Sequence, residues 1–576
     1  MGKVKMLPYG ISSFRDLRLQ NRYCVDKSMY IPLMEEAGNF LFLIRPRRFG
    51  KSIFLSMLKE YYDMSSQADF DRLFEGLWIA DHPTGLQGKF QVLHLDFSQA
   101  DSGTGTLKEN FHLYCSIKLN SFADTYKEYY GEGFVDEVKR LSPNSGAQLI
   151  YIGDEARKRG HQLFLIVDEY DNFTNNVLNE QGEAVYHALT HATGFYREVF
   201  KLYKANFSRV LMMGVSPVTM DDVTSGYNVA LNITAEPEFN MMLGFSETDV
   251  REMIAYYKDV GMIKADADDM IEEMKPWYNN YCFARGSLAQ DPKMFNCDMV
   301  VYYMRSQIMK GRSPEEMLDY NTRTDYTKLK KLIQLDGMGS EQHSILNQIA
   351  AEEKIIGTLN MSFPAERIFD KKNFVSLLYY YGMLTITGTY GDMLELSIPN
   401  NNVRKQYYEY LMNEYSTVGS IDFSELKMAY YDMAFKGKWQ EAMKMIADNY
   451  HKLATIRTAI QGERNLQGFV MASFSTCSYY LIAPETEMAH GYCDIFLMPD
   501  FLRYPQTAHS YILELKYLSA TDSEEEAKKQ WDKAVEQVKQ YATDAKVKVM
   551  TLNTELHLLV MQIRVHELVR LEELSN

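Results

Sequence analysis

The sequence predicts an α/β protein in three stretches: a mainly parallel sheet covered by helices near the N-terminus, a mostly helical middle, and a second α/β unit at the C-terminus. Three observations predict it. Over the first third, short apolar runs alternate with helical stretches; from residue 243 the pattern turns helical; from 457 to the end strands return. A chain of 576 residues also exceeds what one hydrophobic core spans.

The elements follow in order. FLFLI (40–44), FQVLHLDF (90–97), QLFLIVDEY (162–170) and RVLMMGVS (209–216) are near-continuous apolar runs, as strands buried on both faces require. They define a first domain over 1–235. LGFSETDVREMIAYY (243–257) opens a helical lid and adaptor region, 236–415. Inside it, NFVSLLYYYGM reads as a helix, and LTITGTYGDMLELSIPN as two strands around a Gly-Asp turn, the outline of a winged-helix-like piece. Residues 416–456 are helical and charged, a connector by this reading. The last domain, 457–576, offers a helix around 462–472, strands YCDIFLM (492–498), SYILELKYL (510–518) and ELHLLVMQI (555–563), and a helix between the last two.

Composition narrows the function classes. With 46% hydrophobic residues, 24% charged residues, 41 Tyr and 30 Phe, long disorder is not expected. No apolar run reaches membrane-spanning length, and MGKVKMLPYGISSF lacks a secretion-signal core. The cysteines at 24, 115, 282, 297, 477 and 493 are scattered, which reads as reduced thiols in a cytoplasmic protein. A net charge of −16 means that any DNA contact needs a local basic groove. The histidines form no HxH spacing, and no zinc site is expected. No Gly-x-Ser-x-Gly signature is present either.

FLFLIRPRRFGKSIFLSMLKEYY (40–62) carries the first candidate site. A phosphate loop needs a strand, a tight turn with inward N–H groups, a Lys for the β- and γ-phosphates, a Ser or Thr for Mg²⁺, then a helix N-terminus. Gly50, Lys51 and Ser52 supply the last positions, while Arg45 stands where the usual first Gly would be. The competing reading is a basic turn between a strand and a helix. Two further strands favour phosphate binding. LFLIVDEYDN ends in Asp168 and Glu169, suited to holding Mg²⁺ and to activating water, and RVLMMGVSP ends in Ser216, a candidate γ-phosphate sensor.

RPRRFGKS, preceded by LPYGISSFRDLRLQNRYCVDKSMYI (7–31), resembles the bacterial AAA-ATPase-like family. The likeness continues through DEYDN (168–172), GVSPVTMDDVTSGYN (214–228), LGFSETDV (243–250) and KPWYNNYCF (275–283). It implies a P-loop NTPase fold of the additional-strand type with ATP and Mg²⁺ as ligands. The nucleotide-binding candidates are Pro46, Arg47, Arg48, Phe49, Gly50, Lys51, Ser52 and Ser216; Ser52 and Asp168 are the metal candidates, and Glu169 is the candidate base. Tyr23, Asp26 and Lys27 match the family's N-terminal signature, either as adenine or ribose contacts or as a cap over the sheet edge. Arg209, Arg285 and Arg404 are conceivable arginine fingers, none marked by its spacing.

The second candidate site lies in the last domain. Along YILELKYL, Glu514 and Lys516 share a strand face; with Asp494 on a neighbouring strand they form the Mg²⁺ ligands and the lysine that phosphodiester hydrolysis needs. Glu463 on the preceding helix is an accessory candidate. Cys493-Asp494 and Glu514-Leu515-Lys516 resemble the PD-(D/E)XK nuclease superfamily, whose fold is restriction-endonuclease-like. Gln537 and Tyr541, one helical turn apart, resemble its recombination-exonuclease branch. The expectation is a nucleotide-controlled, Mg²⁺-dependent nuclease acting on DNA, without a membrane and with homo-oligomerisation open. Its rivals are an ATP-switched signalling or scaffold protein with an inactive nuclease fold, and a slowly hydrolysing switch.

Overall fold

The computed structural model of this chain describes residues 4–100, 106–173, 195–217, 230–319, 341–363, 367, 370–419, 424–456, 462–488, 491–501 and 503–575. The GVSPVTMDDVTSGYN stretch therefore lies outside the described residues from 218 onward.

Five strands form the first sheet: β1 (Phe40–Ile44), β2 (Phe90–Asp96), β3 (Gln162–Asp168), β4 (Arg209–Gly214) and the short β5 (Leu231–Asn232). Their order is β2-β3-β4-β1-β5, and every pairing is parallel. The apolar runs are buried as the sequence requires, with all six residues of β4 and all but the first of β3 inside. β1 stands second from the edge, and β4 separates it from β3. The loops after β1 and β3 thus leave the same edge of the sheet, where α/β proteins place their ligands.

The helix Lys51–Tyr62 follows β1 after a six-residue loop, 45–50, and turns Phe54, Leu55, Leu58, Tyr61 and Tyr62 inward at helical spacing. Helices Glu247–Asp259, Ala267–Tyr278 and Cys297–Lys310 gather their own core around Val250, Ile254, Met274 and Tyr303. A capping box of Ser246 and Asp249 opens the first of them. β6 (Lys354–Gly357) precedes the helix Lys371–Tyr380, which leads into β7 (Thr385–Tyr390) and β8 (Met393–Ser397), joined over Gly391 and Asp392. These three strands form one small sheet in the order β6-β8-β7.

The C-terminal sheet holds β9 (Tyr480–Met488), β10 (Gly491–Pro499), β11 (His509–Leu518), β12 (Glu555–Arg564) and β13 (Glu567–Leu574), in the order β13-β12-β11-β10-β9. Only β11 and β12 run parallel. That pairing demands a crossover, and the helix Glu524–Ala542 provides it, opened by a capping box of Ser523 and Glu526. Alternation along β11 sorts the two faces. Leu513 and Leu515 pack on one core with Phe469 and Tyr450; Ile512 faces the other with Trp531, Val538 and Tyr541.

The sequence reading contains neither β9 nor β13. β13 is a charged edge strand, ELVRLEEL, mostly exposed and without the apolar alternation that marks a strand from sequence. The compact units also divide the chain differently from the sequence boundaries. One comprises Met1–Leu332 with Ile356–Asn400, the other Ile333–Ile355 with Asn401–Asn576. Helices Leu426–Lys436 and Gln440–Ile456, within the stretch read as a connector, bury Tyr430, Met433, Met443 and Tyr450 in the core of the second unit. Their charges occupy only the outer face.

Candidate functional site

The loop after β1 is held from beneath by its own side chains. Arg45 is fully buried: its guanidinium donates to the carbonyls of Ile44, Thr234 and Phe239 at 2.8–2.9 Å and lies 4.4 Å over the Phe283 ring. It fastens the loop to the sheet. Phe49 is equally buried, meeting Tyr281 and Phe283 edge-on at 4.9 and 5.3 Å, and its carbonyl accepts the Gly244 N–H at 3.0 Å. The LGFSETDV and KPWYNNYCF stretches therefore form the seat of this loop. Gly382, at φ +76°, closes it; a Cβ there would stand 2.9 Å from Pro46 Cβ.

With the loop anchored, two positive φ values, at Arg48 (66°) and Gly50 (84°), turn it into the helix. No side chain caps that helix, so its first N–H groups are left to a ligand. Lys51 Nζ donates to the carbonyls of Arg45 and Pro46 at 3.0 and 2.9 Å. Burial lowers the Lys51 pKa, while Glu169 and Asp168 act to restore it. Arg47 approaches Glu169 at 3.9 Å, and Arg48 reaches Asp298 at 3.5 Å.

Asp168 ends β3, buried, with its pKa raised to about 6 by desolvation against the opposing effect of a Ser52 hydrogen bond. Glu169 follows at φ +51°, a strained conformation for a non-glycine residue that swings its carboxylate toward Arg47. A cavity of about 820 Å³ opens over Lys51, Ser52, Asp168 and Glu169. Its far walls come from Tyr9–Ser12 with Phe14, from Tyr23–Val25 with Lys27, and from Met242–Phe245. An uncapped helix end, an inward amine and a hydroxyl bonded to a buried acid fit a Mg²⁺–nucleotide.

Other expected residues are placed differently. Pro46 is not a cavity wall; its carbonyl holds Lys51. The Phe49 side chain is a packing anchor, so only its backbone can serve a ligand. Ser216 is fully buried and does not line the cavity; its N–H donates to Asp171, and its hydroxyl is engaged by Tyr381. Asp26 caps the N–H groups of Ser28 and Trp78, and Lys27 pairs with Asp249 at 2.7 Å. Both thereby brace the wall that Tyr23 completes against Tyr256 and Tyr257.

In the second unit, β10 and β11 pair antiparallel through Ile495 and Leu513, which sets Asp494 and Glu514 opposite each other one step on. Asp494 Oδ2 accepts the Leu515 N–H at 2.8 Å. Lys516 Nζ donates to Glu514 Oε1 at 2.7 Å and lies 3.9 Å from Asp494. Glu514 is 1% exposed, and its Oε2 has no hydrogen-bond partner, a costly arrangement unless a cation completes it. Burial and the adjacent Glu514 raise Asp494 to about 7; burial raises Glu514 too, against the pull of Lys516. The two acids oppose burial strongly enough to raise Lys516. Glu463 is exposed at the start of helix Glu463–Phe474, its charge acting on all three groups. Tyr541 is buried beneath the acids, which further raise its pKa, already elevated by desolvation; Gln537 donates to its hydroxyl at 3.4 Å.

Residues 8–224 match a family model described as a predicted AAA-ATPase, and residues 461–573 match one described as the PD-(D/E)XK nuclease superfamily. The chain joins an AAA-ATPase-like domain to a PD-(D/E)XK nuclease superfamily domain. It is also similar to an "Uncharacterized protein in vnfD 5'region" of Azotobacter chroococcum mcd 1, 28% identical over 280 residues. That match spans 48% of each chain, about half the length of the curated relative.

The AAA-ATPase-like domain also contains residues at the candidate site that sequence reasoning passed over. Asp96 ends β2 in register with Asp168 and lines the cavity; the signal was there, since FQVLHLD closes on an acid just as LFLIVD does. Asp171 accepts the N–H groups of Val215 and Ser216 at 3.0 and 2.9 Å, tying the end of β4 to the loop that carries Glu169. Burial and Glu169 raise its pKa to about 6. Of the arginines considered as fingers, Arg209 donates to Glu35 and Gly38 carbonyls and Arg285 to Gly391 and Asp392 carbonyls. Arg404 forms a bidentate pair with Glu353. In the PD-(D/E)XK domain, Gln467 lies one turn beyond Glu463 and donates to the Asp494 carbonyl at 3.4 Å. Among the described residues, no helix is long and apolar enough to cross a membrane.

Proposed function

We propose that the AAA-ATPase-like domain binds and hydrolyses ATP with Mg²⁺, and that the PD-(D/E)XK domain is a Mg²⁺-dependent nuclease acting on DNA. The observation that carries the reading is the convergence, at each of two sites, of a lysine with a buried acid: Lys51 with Asp168, and Lys516 with Glu514. Placement of β4 between β1 and β3 supports the additional-strand class of P-loop ATPase.

In the first site Lys51 would hold the β- and γ-phosphates, Ser52 and Asp168 the metal, and Glu169 would orient and deprotonate water. Magnesium would supply charge neutralisation on the phosphates. Arg47, beside Glu169, would sense whether the outermost phosphate is present. In the second site Asp494 and Glu514 would hold Mg²⁺, and Lys516 would position the attacking water and stabilise charge at the scissile phosphate. Glu463 would complete the metal's surroundings, and Gln537 with Tyr541 would position the substrate strand.

The test is Mg²⁺-dependent degradation of linear single- and double-stranded DNA by the full-length protein, with and without ATP. Cleavage absent from Glu514→Ala, and dependent on ATP through Lys51, is the expected result. A folded protein that binds ATP and cleaves nothing would instead be an ATP-switched binding module.

A further inference from the structure

Outside both sites, three metal-ligating side chains meet at the start of β11. His509 and Glu555 are paired across the parallel β11–β12 register, and His557 follows two residues along β12 on the same face. Their ligand atoms all lie within 4.8 Å of one another. His509 Nδ1 is 2.9 Å from His557 Nε2 and 3.5 Å from a Glu555 carboxylate oxygen. Ligands on a tetrahedral zinc ion at ordinary bond lengths stand about 3.3–3.4 Å apart.

The surroundings orient the cluster. His557 Nδ1 contacts Glu573 Oε1 at 2.5 Å, and the other oxygen of that carboxylate accepts Trp439 Nε1 at 2.9 Å. A proton held on Nδ1 by Glu573 leaves the Nε2 lone pair of His557 facing His509, as in carboxylate–histidine–metal arrangements. Gly437 makes room for the His509 ring, since a Cβ there would come within 2.8 Å of it.

We propose that His509, Glu555 and His557 form a binding site for a divalent transition metal of the zinc class, with Glu573 orienting His557. The site lies five residues along β11 from Glu514, about 16 Å away, so it is separate from the candidate nuclease centre. It clasps the starts of β11 and β12 and, through Glu573, the end of β13. A nitrogen-rich ligand set favours zinc-like ions over the Mg²⁺ that the all-oxygen Asp494–Glu514 pair suits.

The experiment is a titration of the chelator-stripped full-length protein with ZnCl₂ against a chromophoric chelator, in a Glu514→Ala background that removes a ligand of the other candidate metal site. One tightly held equivalent is expected, weakened at least tenfold by either His509→Ala or Glu555→Ala. Glu573→Gln should weaken it about 10–100-fold. Glu555 is 70% exposed on its side chain, so its truncation tests the site without threatening the fold. No zinc uptake by the parent, or either ligand variant holding zinc as tightly as the parent, would overturn the assignment.

Discussion

Replacing Asp494 with Asn removes a carboxylate that the fold holds at a cost. Burial and Glu514 raise its pKa to about 7, against about 3.9 in an unfolded chain. The native state therefore retains a proton that the unfolded state has released. The stability this contributes is complete below about pH 4 and is lost as pH rises through about 7. From pH 5.5 to 8.5 the loss covers about 1.5 pH units, roughly 2 kcal/mol at 1.36 kcal/mol each. For a unit of this size that is about 4–8 °C in melting temperature. Asn has no proton to lose, and its Oδ1 can still accept the Leu515 N–H. The variant should then lack this part of the pH slope and be the more stable protein at pH 8.5 without metal. Mg²⁺ should reverse the order, since a ligand at a hundred times its dissociation constant adds about 2.7 kcal/mol to the protein that binds it. The assay is thermal unfolding followed by circular dichroism at pH 5.5 and 8.5, with and without Mg²⁺. Identical pH slopes in the two proteins, or an equal Mg²⁺ shift in both, would refute the account of these acids as a metal cradle.

Lys51→Ala should weaken ATP binding about 10–150-fold, the worth of a charge-assisted hydrogen bond of about 1.5–3 kcal/mol, as read by titration with a fluorescent ATP analogue. Gly382→Ala should lower stability by about 1–2 kcal/mol through its left-handed backbone alone and also weaken nucleotide binding, because the new Cβ pushes on Pro46. Chemical denaturation and the same nucleotide titration check both effects. Asp171→Ala leaves the buried N–H groups of Val215 and Ser216 unpartnered and should cost about 2–6 kcal/mol in denaturant unfolding. Because Asp171 is raised to about 6, its own contribution is lost as pH rises through 6, so the deficit of the variant should shrink between pH 5 and 7.

Much of the candidate chemistry was legible because it is local. Strand, loop and helix are consecutive in residues 40–62, so Lys51 and Ser52 could be read from spacing. The two-residue period of a strand placed Glu514 and Lys516 together without knowledge of the sheet. Asp168 and Glu169 were visible because an apolar run ends on them. Ser216 shows where such reasoning stops. Its position after β4 marked it as a sensor, yet the contacts of Asp171 and Tyr381, which decide where it sits, come from other parts of the chain. Arg45 is similar: the sequence shows only that it stands where the usual first Gly would be, while the carbonyls of Thr234 and Phe239 make it a fastener.

By itself the sequence determined the α/β character of both ends and the strand-borne lysines and acids that make up the two candidate sites, since each rests on the periodicity of one segment. Only the tertiary structure decided the rest. It made the 236–415 stretch contribute Gly244, Tyr281 and Phe283 to the seat of the loop after β1, and it placed helices 426–456 in the C-terminal core. It also brought His509 to His557 across 48 residues, where no histidine spacing had suggested a metal. The physical reason is the same in each case. A helix or strand carries its period in its own residues, whereas which faces meet depends on how all the apolar surfaces are buried together.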